Sequence, residues 1–413
     1  MNIPKLRFKE FTDEWQKVPL NLFTNIYGGY AFKSENLLNY KAKYQVIKMG
    51  NVNNNTLNLE KNPSYLNTIS QKELPYLLEK NDIILTLTGT FGKKDFGYSY
   101  QIKNETNLLL NQRLAVFKIT NSNYSANFLK YILLNNTFLN KFFRFSVGGT
   151  GNQANVSIQD IKSFKIPFPK LEEQNKIANF LTTVDKKITN LENTITSLEN
   201  QKKGLLQQIF SQKLRFKDKN GNNYPNWINS TIGKSGYFYY GKSAPKWSIT
   251  DTATIPCVRY GELYTTHNIM VKKIYSYTNI PKENLKFSTG NEVLVPRVGE
   301  EPLDFCKCCY LPFKDVAIGE MISVYNTKNN PLFISYMFNA TMKYKFAKLV
   351  EGGNVSNLYY SYLENIKIKL PCLEEQTKIA DFLSAFDRKL ENQKAQLEHW
   401  QQIKKGLLQQ MFV

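Results

Sequence analysis

Few side chains in this sequence could make or break bonds. Cys306, Cys308 and Cys309 crowd together, and a thiolate can attack carbon or hold a metal. A structural zinc site needs a second ligand pair at similar spacing, and none follows. The cysteines therefore read as free thiols, and an odd total of five suits a reducing compartment better than a disulfide framework. Of the two histidines, His267 falls in an expected turn and His399 on an expected long helix, both as solvated side chains. No Gly-x-x-x-x-Gly-Lys phosphate loop, no Gly-x-Gly-x-x-Gly between strand and helix and no His-Glu-x-x-His is present. Gly148-Gly149-Thr150-Gly151 and Gly352-Gly353 precede Asn155-Val156-Ser157 and Asn354-Val355-Ser356; they could cradle a phosphate or be plain mobile loops. These residues predict a chain that is not an enzyme and has no metal centre.

Side chains suited to recognition are plentiful. Tyr44–Asn51 reads as a strand running into a turn, and Ile255–Glu262 sits in the equivalent place later in the chain. Asn81–Gly89 and Gly290–Gly299 each read as a turn into a strand. With helices expected at 127–143 and 331–347, each region is α+β. Polar and basic residues at these strand–turn junctions can bind phosphates or read base edges. The candidates for nucleic-acid contact are Lys48, Asn51, Thr88, Lys93, Lys94, Gln112 and Arg113 in the first region, and Arg259, Glu262, Arg297 and Lys307 in the second.

The charge has a location. Residues 1–170 carry 22 Lys and Arg against 11 Asp and Glu, and residues 213–372 carry 21 against 12. The intervening 171–212 is balanced at five against five, and 373–413 at six against six. The net +20 thus belongs to two globular regions and spares what joins them, the pattern of two grips on a polyanion. The opening Met1–Arg7 has no apolar signal core and no apolar run nears the ~20 residues of a membrane span. A cytoplasmic chain without membrane attachment is expected.

The elements that must hold these residues repeat. Leu171-Glu172-Glu173-Gln174-Asn175-Lys176-Ile177-Ala178-Asn179-Phe180-Leu181 returns as Leu373-Glu374-Glu375-Gln376-Thr377-Lys378-Ile379-Ala380-Asp381-Phe382-Leu383. The register holds to Lys202–Gln208 against Lys404–Gln410. Apolar residues at Ile177, Leu181, Val184, Ile188, Leu191, Ile195 and Leu198 step by four and three, a coiled-coil seam. The second copy gives Ile379, Leu383, Phe386, Leu390, Leu397 and Trp400, with polar Gln393 and Lys404 interrupting. Pro169 and Pro371 precede the helices, and paired glutamates occupy each first turn, at the positive end of the dipole. The seams predict that the two rods pair antiparallel, relating the halves by a pseudo-twofold axis. Both globular regions also open alike, Leu6-Arg7-Phe8-Lys9 through Trp15 and Leu214-Arg215-Phe216-Lys217 through Trp227.

Two diverged basic regions, each followed by a Leu-Glu-Glu-Gln-x-Lys-Ile-Ala-x-Phe-Leu helix with Lys-Lys-Gly-Leu-Leu-Gln-Gln downstream, closely resemble the specificity subunit of type I restriction-modification enzymes. The resemblance covers nearly the whole chain. It implies target-recognition domains at 1–170 and 213–372, each reading half of a split DNA sequence, and conserved spacer helices at 171–212 and 373–413. It implies double-stranded DNA, two methyltransferase subunits and restriction/translocase subunits as partners. S-adenosylmethionine, Mg²⁺ and ATP would then serve the partners and not bind here. Asn62-Pro63-Ser64-Tyr65 is similar to the Asn-Pro-Pro-Tyr loop of amino-methyltransferases, but no glycine-rich cofactor loop accompanies it, so it reads as a surface turn. A fused, autonomous enzyme is disfavoured by the missing motifs. A coiled-coil scaffold that binds protein only is disfavoured by the localised charge.

Overall fold

A computed structural model describes residues 2–148 and 152–413; Gly149-Thr150-Gly151 of the first glycine run lie outside them. The chain forms two compact units. One comprises Met1–Glu192 with Ala395–Val413, and the other Asn193–Lys394. Each is therefore a globular α+β body joined to the near part of one long helix and the far part of the other. The helices run Leu171–Phe210 and Leu373–Gln410.

In the first unit a four-stranded sheet orders Thr24–Gly28, Leu114–Ile119, Ile83–Thr86 and Ser99–Gln101, all antiparallel. A second sheet pairs Tyr44–Ile47 parallel with Leu108–Leu110 and antiparallel with Tyr65–Leu66. In the second unit the four-stranded sheet is Gly236–Tyr240, Ile322–Thr327, Glu292–Pro296 and Cys309–Leu311. Its companion pairs Ile255–Val258 parallel with Lys314–Ile318, flanked by Ser276–Thr278 and Phe287–Thr289. A parallel pair needs a long crossover, and in both units the crossover supplies two of the four strands of the antiparallel sheet, Ile83–Thr86 and Ser99–Gln101 in the first and Glu292–Pro296 and Cys309–Leu311 in the second. A two-stranded ribbon closes each unit's base, Gln16–Pro19 with Lys165–Phe168 and Ile228–Thr231 with Lys367–Leu370.

The helices expected at 127–143 and 331–347 are each broken in two. Asn135 is extended and its side chain accepts from Thr137 N, capping Asn136–Arg144 after Ala126–Leu134 has ended. In the second unit Pro331–Thr341 gives way at Met342 to Lys343–Ala347. Asn62-Pro63-Ser64-Tyr65 is the turn into the strand Tyr65–Leu66, with Asn62 at φ +45°.

The repeated helix motif fastens helix to globular body. Glu173 is buried, and its carboxylate accepts from Arg7 at 2.7 Å and from the Trp15 indole at 3.3 Å. Glu375 is buried likewise, accepting from Arg215 at 2.8 Å and Trp227 at 3.2 Å. Gln174 accepts from Ser125 N and donates to the Pro169 carbonyl, as Gln376 does with Asn330 N and Pro371. The second glutamate of each pair thus does more than answer the helix dipole. It is half of a buried charge-assisted lock.

The first seam, Ile177 to Leu198, is buried throughout, as are Ile379, Leu383 and Leu390, whereas Phe386, Leu397 and Trp400 are half-buried. Ile177 and Leu181 belong to the globular core of the first unit, together with Met411 and Phe412 of the other helix. Within the first unit Lys404 pairs with Asp185 at 2.7 Å. Within the second, Lys202 pairs with Asp387 at 2.5 Å and Lys394 with Glu199 at 2.6 Å. In each unit the helices therefore run antiparallel. Lys404 does not merely interrupt the seam but places a charge where the opposite helix supplies its partner.

Candidate nucleic-acid interface

The carboxyl ends of the strands meet at one turn in each unit. In the first unit Asn111 N donates to Ile47 O, so the turn Asn111–Arg113 sits beside Lys48. Leu87 N donates to Arg113 O, placing the turn against the residues after Ile83–Thr86. The second unit repeats the scheme: Gly319 N donates to Val258 O beside Arg259, and Arg297 N donates to Met321 O. Both turns are approached by a glycine. A Cβ on Gly29 would lie 2.2 Å from Asn111 O, and one on Gly241 would lie 2.1 Å from Gly319 O. Gly29 N and Tyr30 N donate to Leu114 O and Leu110 O, and Gly241 N and Lys242 N donate to Ile322 O and Ile318 O. Only a residue without Cβ lets two backbones come this close.

The candidates divide around this framework. Lys48, Gln112 and Arg113 are brought together, with Gln112 and Arg113 exposed. Arg259 and Arg297 flank the second turn, both half-buried. Asn51 is buried and spends its whole amide on the fold: Oδ1 accepts from Lys48 N, and Nδ2 donates to Asn58 O and Lys61 O. Glu262 takes the equivalent role, accepting from Arg259 N and the Ser276 hydroxyl. These two shape the turns: both amide hydrogens of Asn51 are used within the fold, and each carboxylate oxygen of Glu262 already accepts a hydrogen bond there. Thr88 is buried and donates to Asn155 Oδ1 at 3.3 Å. Lys93 and Lys94 are exposed in the loop after Thr88–Thr90, Lys94 over the Phe143 ring. Lys307 is paired with Asp304 at 2.7 Å and lies over the Tyr264 ring.

The strand pairing also revises one equivalence. Asn155 pairs with Thr88, and the residue that pairs with Val298 is Asn357, so Asn357-Leu358-Tyr359 occupies the place expected of Asn354-Val355-Ser356. His267 is half-buried, with its Nε2 hydrogen-bonded to nothing among the described residues, and burial holds its pKa below the ordinary value. His399 is exposed. Cys306, Cys308 and Cys309 are buried free thiols, and burial raises the pKa of each. Among the described residues no group of three His, Cys, Asp or Glu is placed to hold a metal ion.

Comparison with known proteins gives this framework its family. The model of the type I restriction modification DNA specificity domain matches twice, over residues 12–200 and 209–399. The chain belongs to that specificity family. It is 24% identical, over 98% of its length and 95% of the relative's, to the protein assigned as the type I restriction enzyme MjaX specificity subunit of Methanocaldococcus jannaschii. To the MjaVIII specificity subunit of the same organism it is 26% identical, covering 82% of this chain and 80% of the other. Among solved structures, the type I restriction-modification S subunit from M. genitalium shares the fold with a TM-score of 0.63 at 17% identity, over 100% of this chain and 99% of that one. A chain from a study of type I R-M complex assembly and conformational transition gives a TM-score of 0.56 at 14% identity, over 96% and 97%. A specificity chain is not itself the catalyst, and this one is not an enzyme.

Reading the sequence alone missed several residues of this specificity chain. The glycines beside the turns, in Gly28-Gly29-Tyr30 and Tyr240-Gly241-Lys242, follow the strands Thr24–Gly28 and Gly236–Tyr240, which the sequence did not single out, and no composition signal marks a close approach. Also missed was a lysine cluster at each unit's base. Burial first, then repulsion by Lys17 and Lys165, holds the Lys141 ammonium below its ordinary pKa. In the second unit Lys345, Lys367 and Lys369 rim a cavity of about 730 Å³ floored by Trp227, Met337 and Met342. Such clusters can hold an anion.

Proposed function

We propose that each unit of this chain reads one half of a two-part double-stranded DNA target, and that the paired helices fix the distance between the halves. The observation that carries this is the duplicated turn, Asn111–Arg113 and Gly319–Met321. The same backbone hydrogen bonds and the same glycine approach hold it twice, while its side chains differ. A conserved frame with changed side chains is what two different half-sites require. The net charge of +20, confined to the globular regions, supplies the sequence-independent attraction to phosphate.

The helices are the surface on which two methyltransferase subunits dock, and restriction/translocase subunits join that core. S-adenosylmethionine, Mg²⁺ and ATP serve those partners, which methylate adenine and cut DNA in the cytoplasm. No helix among the described residues is long and apolar enough to cross a membrane. The test is to assemble the full chain with its methyltransferase subunits, supply S-adenosylmethionine and map methylated adenines on genomic DNA. The reading expects one motif made of two short elements at fixed separation. Methyl transfer by the rigorously purified single chain, or methylation without a two-part motif, would overturn it.

A further inference from the structure

Only seven of the 54 basic side chains are arginines, so the places where a planar fork replaces a lysine are informative. Arg7 and Arg215 are held by the buried glutamates at the helix starts. Arg297 is held by aromatic rings. Its guanidinium carbon lies 4.2 Å from the centroid of the Tyr240 ring and 5.7 Å from that of Tyr359. Its Nε is buried and makes no hydrogen bond among the described residues. Tyr240, Ser323 and Val295 stand in register across three strands, and Arg297 follows two residues on from Val295, so all four address one face of the sheet. The Ser323 hydroxyl is likewise buried without a partner among the described residues. The second unit therefore ends this sheet face in two polar groups without a hydrogen-bond partner among the described residues, the arginine lying against tyrosine rings.

The first unit shows what the fold itself requires there. Its register aligns Gly28, Ala115 and Leu85, and Leu87 stands where Arg297 does. Leu87 is buried, and the Ile158 side chain closes over Gly28. The same architecture thus seals the same spot with apolar side chains, so the arginine and its clamp are not structural necessities. Nor has the first unit lost its cation. Leu87 N bonds to Arg113 O, as Arg297 N bonds to Met321 O. Each unit places one arginine and one apolar residue on these two neighbouring positions, exchanged between strands.

We propose that Arg297 reads a guanine in the second half-target and that Arg113 is its counterpart for the first. The assignment rests on the reading that each unit binds half of a DNA site. A guanidinium packed between rings loses its side-chain freedom before the ligand arrives, and its outer N–H pair matches guanine O6 and N7. A phosphate needs only a point charge, which lysines supply throughout both units. Fixing a planar fork serves an acceptor pair of defined direction.

The test uses the full chain with its methyltransferase subunits, carrying Arg297→Leu, Arg297→Lys or Arg113→Leu. Arg297→Leu installs the first unit's own residue and is expected to fold, as thermal denaturation would show; Arg297→Lys keeps the charge and loses the fork. Methylation mapping, with binding to duplexes substituted at single positions, is the readout. Both Arg297 variants should lose about tenfold or more of the discrimination at one G·C pair of the second half, with the first half unchanged. Arg113→Leu should do the reverse. An unchanged motif overturns the assignment, as does full discrimination by Arg297→Lys, or an Arg297→Leu that weakens all duplexes alike with a shallower salt dependence. A wild-type complex that selects no two-part sequence overturns the underlying reading, and the arginine assignment with it.

Discussion

Glu375 is fully buried and holds the Arg215 guanidinium and the Trp227 indole. Removing one partner of a buried ion pair leaves the other uncompensated, typically at 3–5 kcal/mol. Glu375→Ala is therefore expected to lower the unfolding free energy of the second unit by about that amount, read as a lower urea midpoint. Glu173→Ala should act likewise on the first unit, and wild-type midpoints in both variants would refute the lock. Gly241→Ala probes the turn proposed for recognition. A Cβ there meets the Gly319 carbonyl at 2.1 Å, and backbone cannot swing aside as a side chain can. The variant should lose second-half discrimination while the first half of the methylated motif stays intact; a normal motif would show that the turn is not at the interface. At this scale the sequence was only partly legible. Arg7, Trp15 and Glu173 stood out as repeated residues, but that they meet depends on the path of the chain between them. Asn51 looked like a base reader because a polar residue after a strand looks the same whether it faces DNA or its own turn.

Each long helix was legible from its spacing, because a stripe at steps of three and four leaves little choice of structure. Its partners were less so. Ile177 and Leu181 satisfy the heptad pattern yet pack in the globular core with Phe412, since any apolar surface can complete a stripe. The charged positions carry the information that the apolar ones lack. Asp185 faces Lys404 and Lys130 and accepts from the Tyr131 hydroxyl. Burial raises its pKa, but Lys404, Tyr131 and Lys130 together outweigh burial and leave it below the usual carboxylate value. A carboxylate with a depressed folded pKa adds stability above its unfolded value, about 3.9 for Asp, and that stability is lost as pH falls through the folded pKa. The first unit should therefore lose stability to acid below about pH 4, and Asp185→Asn should flatten that part of the profile while costing stability at neutral pH. Identical acid profiles for wild type and variant, followed by circular dichroism, would mean that the pair contributes nothing. A polar pair within an apolar seam also fixes register, so replacing Asp185 and Lys404 together by leucine should spare stability more than either change alone.

The first unit is not one stretch of chain. Its core takes in Met411 and Phe412, with Leu407 and Leu408 packed against it, and Asn135 donates to the Leu408 carbonyl. A fragment of residues 1–212 lacks all four, although it contains a whole basic globular region and a whole seam. What it does contain is their equivalents 202 residues earlier, Leu205, Leu206, Ile209 and Phe210. In the intact chain Ile209 is fully buried in the second unit's core, with Leu206 and Phe210 packed beside it. The fragment can therefore complete itself only by lending this segment to a second copy and receiving the same in return, a closed twofold exchange. The five seam residues from Val184 to Leu198 on each helix, at about 1.5–3 kcal/mol each before entropy is subtracted, are enough to drive association at micromolar concentration. Sedimentation should show a dimer whose unfolding is concentration-dependent, and Ile209→Asp should leave it unable to fold or pair. With methyltransferase subunits, the dimer should methylate an inverted repeat of the first half-site. A folded monomer, or a dimer that still modifies the asymmetric target of the whole chain, would show that the two halves are not interchangeable parts of one design.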